Sequence, residues 1–139
     1  MPARALALVA AVLSLAACQD PGERSVAMLR PGSSFAVARI DGAPAPGGVT
    51  LEVGEGGRVT GRAPCNRYSG QLTESGGAMT VSGMVMTRAA CLEPDRTMAE
   101  MRFAVALGSI TGARRSGDTV ALIDPEGRER IALIPAAGG

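Results

Sequence analysis

Apolar and polar residues alternate with a period of two along most of the chain after residue 34. Alternation of this kind places successive side chains on opposite faces of a strand, so it indicates half-buried β-strands. Glycine-rich and Asp-Pro turn signals separate the alternating stretches. The pattern predicts strands in the segments 35–40, 49–53, 58–63, 68–72, 78–82, 110–114, 119–123 and 128–134. We therefore expect seven or eight short strands.

One segment has the helical period instead. Residues 93–95 place proline and an acid where a first helical turn favours them. Met98, Met101 and Val105 follow at positions i, i+3 and i+7. The spacing predicts one helix over about residues 94–107, with these three side chains toward the core.

The first residues are typical of a secretion signal. Arg4 precedes an apolar run over residues 5–15, which as a helix would rise about 16 Å, too little to span a bilayer. The run ends in Leu-Ala-Ala-Cys at residues 15–18, which resembles the lipobox of bacterial lipoproteins. The resemblance implies a signal peptide over residues 1–17 and a lipid on Cys18. The alternative is an ordinary signal peptide with a cysteine near its cleavage site.

A lipobox implies a place in the cell as well. The protein would be lipid-anchored in the bacterial cell envelope and face the periplasm. Gln19 stands where the inner-membrane retention signal of enteric bacteria has Asp, so the outer membrane is favoured. Residues 18–34 contain several prolines and glycines and little periodicity, and are predicted to form the lipidated N-terminus and a flexible tether.

Two further cysteines, Cys65 and Cys91, form an isolated pair. In an oxidising periplasm such a pair is more often a disulfide than a metal site, and two thiolates without histidine make at best half a zinc site. The alternative is two reduced cysteines buried as small apolar residues.

Composition excludes several classes of function. The 139 residues suit one domain. The 14 arginines nearly balance the 13 acidic residues, so the protein has no strong positive charge that would favour binding to nucleic acid. The chain has no histidine, which excludes imidazole bases, histidine-ligated metals and Ser-His-Asp triads. Three aromatic residues are too few for a base-stacking platform. We expect neither enzymatic activity nor a cofactor or metal.

Three motifs occur in a fixed order. Residues 61–70 read GRAPCNRYSG, residues 87–91 read TRAAC, and residues 100–107 read EMRFAVAL. Their order and spacing resemble the META domain family, also called HslJ-like after a heat-shock protein. Pro64 replaces a glycine that is usual before the cysteine, and Phe35 replaces a tryptophan that commonly opens the first strand.

The resemblance covers residues 35–135 and leaves residues 136–139 as a tail. It implies a small α+β domain with an antiparallel, partly barrel-like sheet and one packed helix. It also implies an envelope or stress-associated role, and no established catalytic activity.

Two arginines flank the cysteine pair. Arg67 and Arg88 each lie near one cysteine, so a disulfide would bring them together as a cationic patch for a carboxylate or phosphate. The alternative is that both arginines pair with surface carboxylates, for which the candidates are Glu74, Glu93 and Glu100.

The remaining polar candidates have structural interpretations. Asn66 follows the cysteine at a bend and is expected to cap backbone groups or adopt a left-handed turn. Tyr68 is expected to pack inward with its hydroxyl on a backbone partner, and Glu100 to pair with an arginine. Five methionines are expected to fill the core, with a soft-metal site as the alternative: Met79, Met84, Met86, Met98 and Met101.

These observations favour a lipid-anchored, non-enzymatic envelope protein that acts by binding or supports the envelope under stress. Its contact surface would consist of Asn66, Arg67, Tyr68 and Arg88. Its partners would be the membrane, which it contacts through the N-terminal lipid, and an envelope protein or a small ligand. One alternative is a carrier that holds a small hydrophobic ligand between helix and sheet. The other alternative is a periplasmic enzyme.

Overall fold

The computed structural model describes residues 27–137, so the predicted signal peptide, Cys18 and the first part of the tether lie outside the described residues. The described part contains nine antiparallel strands and one complete α-helix, which confirms the expected fold class. The elements are β1 (Ser34–Ile40), β2 (Ala43–Pro44), β3 (Thr50–Val53), β4 (Arg58–Arg62), β5 (Arg67–Ser75), β6 (Ala78–Met86), α1 (Pro94–Ser109), β7 (Gly112–Ser116), β8 (Thr119–Ile123) and β9 (Glu129–Pro135). No helix among residues 27–137 is long and apolar enough to cross a membrane.

The strands form one curled sheet in the order β6-β5-β4-β3-β1-β9-β8-β7, with β2 paired to β1. The two edge strands approach each other where the backbone N–H of Met79 donates to the carbonyl of Thr111 at 2.9 Å. The sheet is therefore a partly closed barrel, because its edges meet at this point without forming a full ladder. The ninth strand, beyond the number expected, is the two-residue β2.

The interior of the barrel is filled by one face of each strand and by α1. The helix contributes the buried residues Ala99, Phe103, Ala106 and Leu107. The ring of Phe103 lies edge-on to that of Tyr68, with centroids 5.1 Å apart. Small alanines let the helix approach the sheet while Phe103 fills the centre, so α1 closes the barrel.

The expected orientation of the helix is wrong. Met98, Met101 and Val105 are exposed, and the opposite stripe faces the sheet. The helix carries apolar residues on two sides, and only one can be buried. The side with Phe103 and Leu107 removes more apolar surface from water, so it is the one that packs. Of the five methionines expected in the core, Met79 is fully buried, and Met84 and Met86 are partly buried and pack against the core.

The domain begins earlier than its strand pattern indicates. Leu29 is part of the buried core, and the backbone N–H of Gly32 donates to the carbonyl of Val53 at 2.7 Å. Residues 27–34, which the sequence pattern assigns to the tether, therefore pack against the sheet. Met28 also packs against the core.

Candidate functional site

The structure joins Cys65 and Cys91 by a disulfide, with Cα atoms 5.6 Å apart. Cys65 lies between β4 and β5, and Cys91 lies between β6 and α1. The bond therefore holds two connecting segments together at the end of the sheet where Arg67 begins β5.

Asn66 and Glu100 form the centre of a hydrogen-bond network beside this disulfide. Glu100 Oε2 accepts from the backbone N–H groups of Cys65, at 2.7 Å, and Asn66, at 2.8 Å. Glu100 Oε1 accepts from Asn66 Nδ2 at 2.6 Å. Asn66 Oδ1 accepts in turn from the hydroxyl of Thr87 at 3.0 Å and the backbone N–H of Ala89 at 2.6 Å.

This network settles the roles of both residues. Asn66 is buried and binds backbone groups of another segment; it is not a left-handed residue, since Asp41 is the one non-glycine with positive φ among residues 27–137. In the described part of the chain Glu100 pairs with no arginine, contrary to expectation. Its carboxylate satisfies two amides that the end of the sheet leaves without a strand partner.

Tyr68 packs inward as expected. Its hydroxyl donates to the carbonyl of Thr50 at 2.9 Å, and burial, with a smaller contribution from Glu52, raises the pKa of this phenol above its usual value. Gly61 makes the contact possible, because a Cβ at this position would overlap the Thr50 carbonyl and the Tyr68 ring. The phenol thus has a structural partner and is not presented to solvent.

The outer face of β4 and β5 carries three arginines. Arg58 and Arg62 project from β4 on the same side, and Arg62 lies directly across from Arg67 of β5. Thr60 lies between Arg58 and Arg62 on β4, directly across from Ser69 of β5. These side chains border a surface hollow of about 520 Å³ that extends to β3 and β6. We call Arg58, Arg62 and Arg67, with Thr60 and Ser69, the arginine groove.

The three guanidinium groups have no ion pair with any of the residues that the structure describes. Within residues 27–137, no carboxylate lies within ion-pairing distance of Arg58, Arg62 or Arg67. Glu52 is the one acidic residue among the described residues that border the hollow. The groove therefore concentrates positive charge on one face of a protein whose overall charge is nearly balanced.

The alternative considered for Arg67 and Arg88, pairing with surface acids, is not observed in the described chain. Glu93 lies 4.0 Å from Arg96, and Glu100 binds the amides described above. Arg88 is exposed in the segment after β6 and does not border the hollow. The structure thus places Arg67 with Arg58 and Arg62.

A second, smaller hollow of about 270 Å³ adjoins the disulfide and is also bordered by Arg62 and Arg67. It adds Arg96, whose guanidinium donates to the carbonyls of Pro64 at 2.8 Å and Gly47 at 3.2 Å. Backbone carbonyls hold the Arg96 guanidinium beside this hollow, and Glu93 lies 4.0 Å from its Nε, so part of its charge is already balanced.

Arg58 and Arg62 were not among the residues predicted from sequence. The signal was present, since Arg58, Thr60 and Arg62 alternate with apolar or small residues on a predicted strand. What was missing was the neighbour of that strand, because the cross-strand position of Arg67 is a tertiary property.

A second charged cluster lies at the turn between β8 and β9. Asp124 is buried and accepts from Arg128, whose Nε lies 2.8 Å from Oδ2. Burial by itself raises the pKa of Asp124, but hydrogen bonds and charge from Arg128 outweigh it, and the pKa falls below its ordinary value. Arg130 donates to Asp41, which raises the pKa of that guanidinium. These groups neutralise one another and hold the turn.

The model of the META domain family matches residues 27–137, which is the whole described part of the chain. The chain belongs to the META domain family. A protein from Burkholderia xenovorans solved by NMR is 18% identical, with 99% of this chain and 100% of that chain covered and a TM-score of 0.62. A second NMR structure is 22% identical, with 73% of this chain and 86% of that chain covered and a TM-score of 0.55. Both show the shared fold, and no curated protein matches the sequence significantly.

In this META domain the space between helix and sheet is occupied by protein. Phe103, Ala106 and Leu107 are fully buried there, and Tyr68 completes the packing from β5. A carrier of the kind considered as an alternative would hold its ligand in this space. The packing gives that alternative no support.

Proposed function

We propose that this META-domain protein is a lipid-anchored, non-enzymatic protein of the bacterial envelope that binds an anionic group in the arginine groove. One observation carries the binding role: three arginines share one sheet face and none has an ion pair within residues 27–137. The lipobox-like sequence that ends at Cys18 supports the anchor.

The position of the arginines favours an anion as the ligand. Arg62 and Arg67 lie directly opposite each other on neighbouring strands, an arrangement in which like charges destabilise the sheet. A bound anion relieves this repulsion. Guanidinium groups match the geometry of phosphate and carboxylate oxygens, and the hydroxyls of Thr60 and Ser69 can donate to the same oxygens.

The four residues of the contact surface expected from sequence have different roles in this proposal. Arg67 remains a binding residue, whereas Asn66 and Tyr68 support it from the inner side through the contacts described above. Arg88 directly follows Thr87, whose hydroxyl accepts from the backbone N–H of Arg67 at 3.1 Å. We retain Arg88 as a peripheral contact for a ligand that extends beyond the groove.

The binding role is tested with the purified full-length mature protein in detergent and inorganic pyrophosphate as the probe. Two Arg→Gln changes at Arg62 and Arg67 are expected to weaken binding by about tenfold or more, since each lost charge-assisted hydrogen bond contributes about 1.5–3 kcal/mol. The control carries Arg114→Gln and Arg115→Gln, which remove the same charge from β7, outside the groove. Equal weakening of both variants would contradict a specific site.

The anchor is tested separately. The Cys18→Ser variant is expected to move from the membrane fraction to the soluble periplasmic fraction, and the wild-type N-terminal peptide to carry the mass of a lipid. A wild-type protein that lacks this mass refutes the anchor, and the pyrophosphate result stands independently of it.

A further inference from the structure

The outward face of α1 carries a row of large apolar side chains that the core does not use. Met98, Met101 and Val105 are 59%, 67% and 65% exposed. Their spacing of three and four residues places them on one side of the helix, over about 10 Å of its length. We call these three residues the methionine ridge. Contiguous apolar surface of this kind marks an interaction site more often than scattered single residues do.

Charges on the helix favour a negatively charged partner surface. The acidic residues of α1 are Asp95, in the first turn, and Glu100, whose carboxylate is bound to the Cys65 and Asn66 amides. From Met101 to Ser109 the one charged residue is Arg102. Arg102 places one positive charge beside this apolar ridge, and anionic lipid headgroups attract arginine near the bilayer surface.

The start of the described chain lies near the same helix. Met28 and Thr111 border one surface hollow, and Thr111 is two residues beyond the end of α1. Eight residues separate Cys18 from Ala27, so the nine steps of chain span at most about 30 Å between the lipid and the domain. A lipid on Cys18 therefore keeps the end of α1 near Thr111 within reach of the bilayer.

We propose that the methionine ridge lies on the bilayer surface and forms a second membrane contact beside the lipid. This inference rests on the proposed lipid anchor. Methionine side chains are flexible and polarisable and adapt to irregular apolar surroundings. The ridge enters the boundary between headgroups and acyl chains, and the guanidinium of Arg102 reaches the lipid phosphates while its stem stays among apolar groups.

Tryptophan fluorescence tests the contact directly, because the chain has no tryptophan of its own. Full-length mature Met101→Trp protein is reconstituted into phosphatidylethanolamine–phosphatidylglycerol vesicles with brominated acyl chains, which quench a nearby indole. Thr80→Trp is the control, since Thr80 is also exposed but lies on β6 away from the hollow of the arginine groove. We expect the fluorescence of the Met101→Trp protein to fall by about twofold or more and that of the Thr80→Trp protein to change little.

A second pair of variants places a charge in the contact. Val105→Trp is expected to be quenched like Met101→Trp, and addition of Met101→Glu is expected to restore its emission, because a carboxylate does not enter the apolar layer. Since both positions are exposed, neither change is expected to disturb folding.

Four outcomes overturn the proposal: a Met101→Trp protein that is not quenched, equal quenching of the Met101→Trp and Thr80→Trp proteins, emission that Met101→Glu does not restore, and a blue shift that depends on protein concentration without vesicles. The last would assign the ridge to a second copy of the chain. Mass spectrometry of the same sample separates the two proposals. Quenching without a lipid on Cys18 refutes the anchor alone, and a lipid without quenching refutes the ridge alone.

Discussion

Removal of the Glu100 carboxylate is expected to destabilise the domain strongly, although this residue lies on a partly exposed helix position. Its two oxygens accept three hydrogen bonds, from the backbone of Cys65, the backbone of Asn66 and the side chain of Asn66. In Glu100→Ala these donors lose an ionised acceptor, and Asn66 is also freed from its orientation toward the segment 87–89.

The magnitude follows from the count of donors. Each hydrogen bond to a charged group contributes about 1.5–3 kcal/mol, and water can replace part of it at a half-buried site. Three such bonds give about 3–5 kcal/mol after this discount, a large share of the roughly 5–15 kcal/mol by which domains are stable. Glu100→Gln is expected to lose less, because an amide oxygen still accepts from the backbone while its NH₂ group opposes Asn66 Nδ2.

Urea unfolding followed by circular dichroism measures the effect, with the disulfide kept oxidised in all samples. Glu93→Ala serves as the control, since Glu93 is an exposed acid whose nearest cation, Arg96, lies 4.0 Å away, and its loss is expected to cost less than about 0.5 kcal/mol. If Glu100→Ala is as stable as Glu93→Ala, the network does not hold the domain together and our reasoning about the motif is refuted.

Three further predictions concern stability. Reduction of the disulfide, which closes a separation of 26 residues, is expected to lower the free energy of unfolding by roughly 3–4 kcal/mol while far-ultraviolet circular dichroism stays unchanged. Phe103→Ala is expected to lower the free energy of unfolding by about 3–5 kcal/mol, measured with urea, and Met101→Ala to lower it hardly at all. If the helix packed with Met101 toward the core instead, the two effects would be exchanged. The lowered pKa of Asp124 means that its carboxylate stabilises the fold above the unfolded pKa near 3.8 and that this contribution is lost as the pH falls through the lower folded pKa. The free energies of unfolding of wild type and Asp124→Asn should therefore converge as the pH decreases from about 5 to about 2. A difference between them that stays constant with pH would contradict this assignment.

The period-two pattern predicted the strands well because it depends on local sequence. On β4, Val59 is buried while Arg58 and Thr60 face outward, as alternation requires. Pairing between strands depends on contacts far apart in sequence. The juxtaposition of Arg62 with Arg67 therefore became visible only in the folded sheet.

Helix orientation was ambiguous for a physical reason. Met98, Met101 and Val105 satisfy the helical period as well as Ala99, Phe103 and Ala106 do, and periodicity alone cannot rank two apolar faces. The prediction of a tether is wrong for residues 27–34, because Leu29 is an isolated apolar residue in a region rich in proline and glycine and the pattern does not mark it as buried. Its burial depends on a site that the sheet provides.

The residues that carry the family resemblance hold the fold together and only partly determine the arginine groove that we propose as a binding face. Cys65 pairs with Cys91, and Asn66 binds both Glu100 and Thr87, so all three sequence motifs meet in one network. Arg58 precedes the motifs altogether, although Arg62 and Arg67 lie within the first of them. Family membership therefore predicts the scaffold better than the ligand.

This division leads to a last prediction. Substitution of Arg62 and Arg67 by glutamine is expected to leave the free energy of unfolding unchanged or to raise it by about 0.2–1 kcal/mol, because it removes two like charges that face each other across the strands. The same variant is expected to bind pyrophosphate about tenfold or more weakly. Residues kept for binding commonly cost stability, whereas residues kept for packing contribute to it. Urea unfolding without ligand distinguishes the two: a loss of more than about 1 kcal/mol would show that these arginines hold the sheet together and would remove the main argument for the arginine groove as a binding site.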